Sequence, residues 1–234
     1  MRQTPSALML FAAGFGTRMG TLTAAKPKPL LTLGGQTLID RALDIADAAG
    51  IENKVVNLHY LGDQIAGHLT HRPGIALAWE HAKILETGGG LRAALPLLGK
   101  DPVYTLNPDA VFAGANPLIQ LRNAWDGAKM DALLMLLPMQ SVKGRDGPAD
   151  FAFSRDGRIT RADTTGQHLY LGAQIIRTDG LAAIPEIAFS LNRLWDQIIA
   201  NGRAFGLIYQ GDWCDVGTPQ GLVDAAVMLA AHHV

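Results

Sequence analysis

Ala7-Leu8-Met9-Leu10-Phe11-Ala12-Ala13 runs into Gly14-Phe15-Gly16-Thr17-Arg18-Met19 and, past a short spacer, into Lys26-Pro27-Lys28-Pro29-Leu30. An apolar run closed by glycines predicts a buried strand ending in a turn. Glycines at the carboxyl end of such a strand let the backbone approach a ligand closely and aim N–H groups at phosphate oxygens. Arg18 adds a guanidinium able to fork across two such oxygens, and Lys28 adds an ammonium point charge. One strand and one loop therefore outline a polyphosphate site.

The spacing excludes two common nucleotide loops. A dinucleotide fingerprint needs Gly-x-Gly-x-x-Gly opening a helix, with an acid about 20 residues further on. Here Met19 stands at the third glycine, and Pro27 and Pro29 oppose an early helix. A P-loop needs Gly-Lys-Ser/Thr after four spacer residues, which is absent.

Working outward, apolar positions at Leu38, Ile39, Ala42, Leu43, Ile45 and Ala46 predict a helix over 37–49, with Gly50 as its stop. Strands are expected at 55–58, 75–79, 103–106, 131–138 and 169–176, with helices at 61–69 and 91–98. Asp156-Gly157 marks a hairpin between 151–153 and 158–160. Thr218-Pro219 opens a last helix, with Thr as N-cap and Pro in the first turn. Alternating strands and helices predict an α/β fold: a Rossmann-like, mainly parallel sheet flanked by helices. Ligands of such sheets bind outside the carboxyl ends of the strands. A small inserted substrate lobe is expected around 144–191. The single domain divides at about residue 138 into a nucleotide-binding core and a substrate-binding part with the final helix.

The 234 residues, 48% hydrophobic, suffice for one substantial core, and a net charge of −1 offers no broad attraction to nucleic acid or anionic membrane. The single cysteine excludes an intramolecular disulfide and fits a reducing compartment. Neither a membrane-length apolar run nor a signal-peptide layout is present, so a cytoplasmic protein is expected. His59, His68, His71 and His81 share no metal-ligand spacing, and Cys214 reads as a small buried hydrophobe.

Two aspartates, Asp109 in Leu106-Asn107-Pro108-Asp109 and Asp215 in Trp213-Cys214-Asp215-Val216-Gly217-Thr218, are candidate metal ligands beside a triphosphate. Mg²⁺ suits carboxylate and phosphate oxygens. Leu85-Glu86-Thr87-Gly88-Gly89-Gly90 leads into a helix; its glycines would let backbone pass close to a flat ring, or form a flexible capping loop. Lys143 and Arg145 either hold an anionic substrate or are solvated loop charges.

The stretch Ala12-Ala13-Gly14-Phe15-Gly16-Thr17-Arg18-Met19 with Pro27-Lys28-Pro29-Leu30, together with Trp213-x-Asp215-x-Gly217-Thr218, resembles the sugar-phosphate nucleotidyltransferase family. Thr21 and Pro108 depart from its pattern, which usually has proline and glycine there. The resemblance implies the nucleotide-diphospho-sugar transferase fold and Mg²⁺-dependent nucleotidyl transfer to a sugar 1-phosphate, with pyrophosphate released. It implies that Ala12, Ala13, Gly14, Gly16, Thr17, Arg18 and Lys28 hold the nucleotide, with Glu86, Thr87, Gly88 and Gly89 along base and ribose. Arg18, Lys28, Asp109 and Asp215 would be catalytic, with the two aspartates on the metal. Asn107, Asp150, Gly172 and Lys143 would face the sugar.

The short chain, without a hexapeptide-repeat tail, most resembles members using UTP and N-acetylmuramic acid 1-phosphate. Guanylyl transfer to mannose 1-phosphate, or a catalytically weak sugar-nucleotide sensor, are the alternatives. A monomer or small homo-oligomer is expected.

Overall fold

The computed structural model describes residues 4–99, 102–142, 147–163 and 166–232. The first half contains β1 (Ala7–Phe11), β2 (Thr32–Leu33), β3 (Gln36–Thr37), α1 (Leu38–Ala48), β4 (Asn53–Leu58), α2 (Gly62–Leu69), β5 (Ile75–Trp79), α3 (Glu86–Leu98) and β6 (Val103–Leu106). The second half continues with β7 (Ala110–Gly114), α4 (Pro117–Ala124), β8 (Ala132–Pro138), β9 (Phe151–Phe153), β10 (Ile159–Arg161) and β11 (His168–Ile176). It ends with α5 (Asn192–Ala200), β12 (Ala204–Ile208), β13 (Gly211–Asp215) and α6 (Pro219–Ala231).

Strand β1 is apolar throughout because it is buried on both faces. Leu8 and Leu10 enter one core and Ala7 and Met9 the other, as a sheet covered on two sides requires. Helices α1, α2 and α4 cover the first face through Ile39, Leu43, Ile65, Leu69, Leu118 and Leu121. Helices α3 and α5 cover the second through Leu91, Ala94, Leu98, Leu194 and Ile198.

Strands β5, β4, β1 and β6 lie side by side and parallel. Strand β11 follows antiparallel to β6 and to β8, and β12 lies parallel to β8. The sheet is thus mainly parallel, as the alternation of elements predicts. From the segment expected to insert a lobe, β11 joins the main sheet and the hairpin β9–β10 stands at its margin. There His168 pairs with Phe151, and Arg158 bridges back to Phe205 of β12.

A second, two-stranded sheet positions the chemistry. Strand β13 returns antiparallel on β7, with Asp215 opposite Ala110, and α6 packs behind this ribbon through Ala225 and Leu229. Thr218 caps α6, its Oγ1 accepting from Gly221 N, and Pro219 occupies the first turn. Thr37 caps α1 by accepting from Asp40 N.

One boundary differs from the sequence reading in a way that affects the site. Helix α3 begins at Glu86, so Gly88, Gly89 and Gly90 are inside it instead of in a loop before it. Glycine costs about 0.5–1 kcal/mol per interior helical position. Here close packing requires it: a Cβ on Gly90 would sit 2.7 Å from Glu80 Oε1, and one on Gly88 would run into Phe189. No helix among the described residues is long and apolar enough to cross a membrane.

Candidate active site

Two cavities, each of about 300 Å³, open at the carboxyl ends of β1 and β6 and share Arg18, Asn107 and Asp109. Ala12, Ala13, Gly14, Gly16, Thr17, Arg18, Lys28, Glu86 and Thr87 all line the first. Gly88 and Gly89 do not. Their N–H groups donate to the Phe189 carbonyl at 2.9 and 3.1 Å, so neither is available to a ligand. Thr87 Oγ1 also accepts from Leu191 N at 2.9 Å.

The loop after β1 turns at Gly16, whose φ of 64° is left-handed and suits glycine. The stem of Lys28 packs beneath it, close enough that a Cβ on Gly16 would lie 3.0 Å from Lys28 Cβ. The Lys28 side chain is only 11% exposed, and its Nζ meets Asp109 Oδ2 at 2.5 Å. Arg18 is on the open rim, 67% exposed, with Nη1 at 3.9 Å from Asp215 Oδ2. Two cations thus face two carboxylates across the cleft.

Residues 106 apart in sequence meet because of the β7–β13 ribbon. Asp215 pairs opposite Ala110, and the next residue, Val216, donates its N–H to the Asp109 carbonyl at 2.9 Å. Asp109 itself is presented by a turn that Ala110 N closes onto the Asn107 carbonyl at 3.2 Å. Pro108 is the second residue of that turn, where a φ near −65° is favoured. The proline therefore fits without displacing Asp109. Asp109 and Asp215 both line the second cavity and offer only oxygens, a donor set that suits Mg²⁺, a cation commonly held by one or two carboxylates plus substrate phosphates and water. Among the described residues, no group of three or more His, Cys, Asp or Glu assembles as a metal cage.

Behind the loop runs a buried polar relay that sequence reading overlooks. Asn57 Oδ1 accepts from Ala12 N at 2.8 Å, and its Nδ2 donates to Glu80 Oε1 at 2.7 Å. Glu80 Oε2 accepts from Leu85 N at 2.7 Å. Both side chains are buried. The relay ties the loop after β1 to the start of α3, where Glu86 carries a φ of 59°. The only signals in the chain are a polar residue inside an apolar strand (Asn57) and an acid at a strand end (Glu80).

The second cavity holds three of the four residues expected near the sugar: Asn107, Asp150 and Gly172. Lys143, the fourth, and Arg145 beside it lie outside the described residues. Gly172, at a φ of 81°, interrupts the register of β11. It needs to be glycine twice over, since a Cβ would also stand 3.0 Å from Asn107 Cβ. Its carbonyl accepts from Asn107 N at 2.9 Å, and Trp213 Nε1 donates to the Leu171 carbonyl at 3.1 Å. These two bonds hold the Asp109 turn and β13 against β11. Asp150 Oδ2 accepts from Tyr170 N at 2.9 Å.

Trp195 and Arg161 are further lining residues without a sequence motif. The Trp195 ring meets Phe151 and Tyr170 edge-on, and its Nε1 donates to Gln174 Oε1 at 2.9 Å. Burial raises the Tyr170 phenol pKa, keeping it neutral. Cys214 stays inert: burial pushes its thiol up to about 11.

This constellation coincides with a family match. Residues 8–155, from β1 through the two cavities' shared turn, match the MobA-like NTP transferase domain. The chain belongs to that family. This NTP transferase is 39% identical, over 98% of its length and 99% of the relative's, to the N-acetylmuramate alpha-1-phosphate uridylyltransferase of Caulobacter vibrioides. The enzyme of the same name from Neisseria meningitidis serogroup B is 32% identical over 95% of this chain and 98% of that protein. A mannose-1-phosphate guanyltransferase of Aspergillus fumigatus is 25% identical over 91% of this chain, which spans only 61% of that protein.

Two solved structures share the fold at 16% identity. One is a UDP-glucose pyrophosphorylase complexed with UDP-glucose, with a TM-score of 0.77 over 97% of this chain and 99% of that one. The other is HddC from Yersinia pseudotuberculosis complexed with GMP-PN, with a TM-score of 0.76 over 95% and 98%.

Proposed function

We propose that this nucleotidyltransferase moves a uridylyl group from UTP to N-acetylmuramic acid 1-phosphate. An oxygen of the sugar phosphate bonds to the α-phosphorus of UTP. The bond from that phosphorus to the β-phosphate bridge breaks, and pyrophosphate leaves with the electron pair. The attacking oxygen is already anionic, so no general base is required; the barrier lies in charge repulsion and in-line placement.

The chain's own groups address both terms. Backbone at Gly14–Thr17, together with Arg18 and Lys28, faces the triphosphate. The Asn57–Glu80 relay fixes that loop relative to Glu86 and Thr87, which border the base and ribose. Asn107, Asp150 and Gly172 border the sugar. Asp109 and Asp215 would hold Mg²⁺, which when bound offsets the phosphate charge. Lys28, sharing Asp109, is placed to turn toward a phosphate oxygen.

The observation that supports the reaction class is the hydrogen bond from Val216 N to Asp109 O, which brings the backbones of the two aspartates together where both line the second cavity, Asp109 beside Lys28 and Asp215 near Arg18. Near full-length similarity to the two uridylyltransferases carries the choice of substrates. The single cysteine, reduced and buried, agrees with a cytoplasmic site of action, as a monomer or small homo-oligomer. Pyrophosphate release with Mg²⁺, measured over a grid of nucleoside triphosphates and sugar 1-phosphates, tests the reading. UTP with N-acetylmuramic acid 1-phosphate is expected to give the highest kcat/KM; GTP with mannose 1-phosphate in that place would refute it.

A further inference from the structure

The second cavity contains a cation that the first lacks. Arg18 lines both cavities, whereas Arg161 lines only the second. Arg161 is held as a fixed fork. Its guanidinium stands 5.2 Å from the Phe151 ring centre and 5.5 Å from that of Trp195. Nε donates to Asp196 Oδ1 at 2.7 Å, and Nη2 donates to the carbonyl and the Oδ1 of Asn192 at 3.2 and 3.1 Å. Nη1 has no hydrogen-bond partner among the described residues. An oriented guanidinium with one free NH₂ group beside an aromatic wall is suited to an anion.

Resting on the functional reading above, we propose that Arg161 recognises a carboxylate on the sugar, the lactyl group that sets N-acetylmuramic acid apart from N-acetylglucosamine. The fork is already oriented by Asp196, Asn192 and the two rings, which reduces the rotamer entropy lost on binding. Asp150, on the same cavity, is an acceptor and suits the neutral hydroxyl and amide donors of the ring. The cavity thus separates an anion-seeking group from a donor-seeking one. It favours an acidic sugar by offering Arg161 Nη1, a donor that a neutral sugar would leave to water.

The test compares N-acetylmuramic acid 1-phosphate with its lactyl carboxamide, which keeps the shape and removes the charge. Initial rates of UDP-sugar formation are measured for the wild type, Arg161→Gln and Arg161→Lys, with thermal unfolding as a check on folding. The wild type is expected to favour the acid by about 10- to 100-fold in kcat/KM, the scale of a charge-assisted hydrogen bond. Arg161→Gln is expected to reduce that acid-to-amide ratio to within about threefold, and Arg161→Lys to leave it in between. Because the readout is a ratio, a general loss of activity through poor folding does not imitate it.

Equal use of acid and amide by the wild type would overturn the assignment while leaving the functional reading in place. An unchanged ratio in Arg161→Gln would do the same. Failure of the wild type to use either sugar, with another sugar phosphate turned over, would overturn the functional reading and this assignment with it.

Discussion

The first cavity, where we place the nucleotide, takes Ala12, Ala13, Gly14, Gly16, Thr17 and Arg18 from the single loop after β1. The second cavity, where we place the sugar, instead gathers Asp150, Arg161, Tyr170 and Trp195 from a loop, two strands and a helix. A backbone site depends on glycines and local turns, so it leaves a compact motif. A side-chain site assembled across β10, β11 and α5 depends on tertiary placement and leaves almost none. Asp109 stands where the two ends join.

The largest effect is expected at that junction. Asp109→Asn and Asp215→Asn should each lower kcat by about a thousandfold or more, several kcal/mol of lost charge stabilisation, in steady-state pyrophosphate release. Asn is the better substitution at 109, because Ala would strand the mostly buried Lys28 ammonium. Next, Lys28→Ala should reduce kcat/KM on the order of 100-fold, as loss of one oriented cation at developing charge does. A loss confined to thermal stability would make Lys28 structural.

At the nucleotide end alone, Glu80→Gln should raise KM for UTP about tenfold. It turns an amide against Asn57 Nδ2 and costs about 1–3 kcal/mol of stability by denaturant unfolding. The double variant Asn57→Asp/Glu80→Gln re-creates a donor–acceptor match at every link, from Ala12 N to Leu85 N. It should recover most of both losses. A double variant no better than the single would show that the relay does not hold the loop. The smallest effect is expected at Pro108→Gly. Activity should stay within about threefold and stability fall by about 0.4–1 kcal/mol through the freer unfolded chain. A gain in rate would mean that the proline does restrain Asp109.

The contrast also explains what could be read from the chain. Strand β1, its glycine loop, helix α1 with its Thr37 cap, the hairpin at Asp156-Gly157 and α6 with its Thr218 cap are encoded locally, and each lies within a few residues of its expected place. Helix α3 begins a turn and a half earlier than expected, because three glycines read locally as a loop. Only their contacts with Phe189, Ile187 and Glu80 show why a helix uses them. Strand β7 was hidden in the apolar run after the Asp109 turn, and β12 by Gly206, which packs under Leu136 and Ile159. Asn57, Glu80, Arg161 and Trp195 matter through partners 21 to 45 residues away. No local pattern carries that information.

We propose that Asp109 and Asp215 act as one unit because the β7–β13 ribbon brings their backbones together. This coupling is tested most directly by single-turnover UDP-sugar formation in Asp109→Asn, Asp215→Asn and the double variant, with UTP, N-acetylmuramic acid 1-phosphate and Mg²⁺. A unit loses its function with either member, so the double variant should be no slower than the worse single within about threefold, far short of the product of the two losses. Losses that multiply, or near-normal turnover in either single variant, would contradict the account.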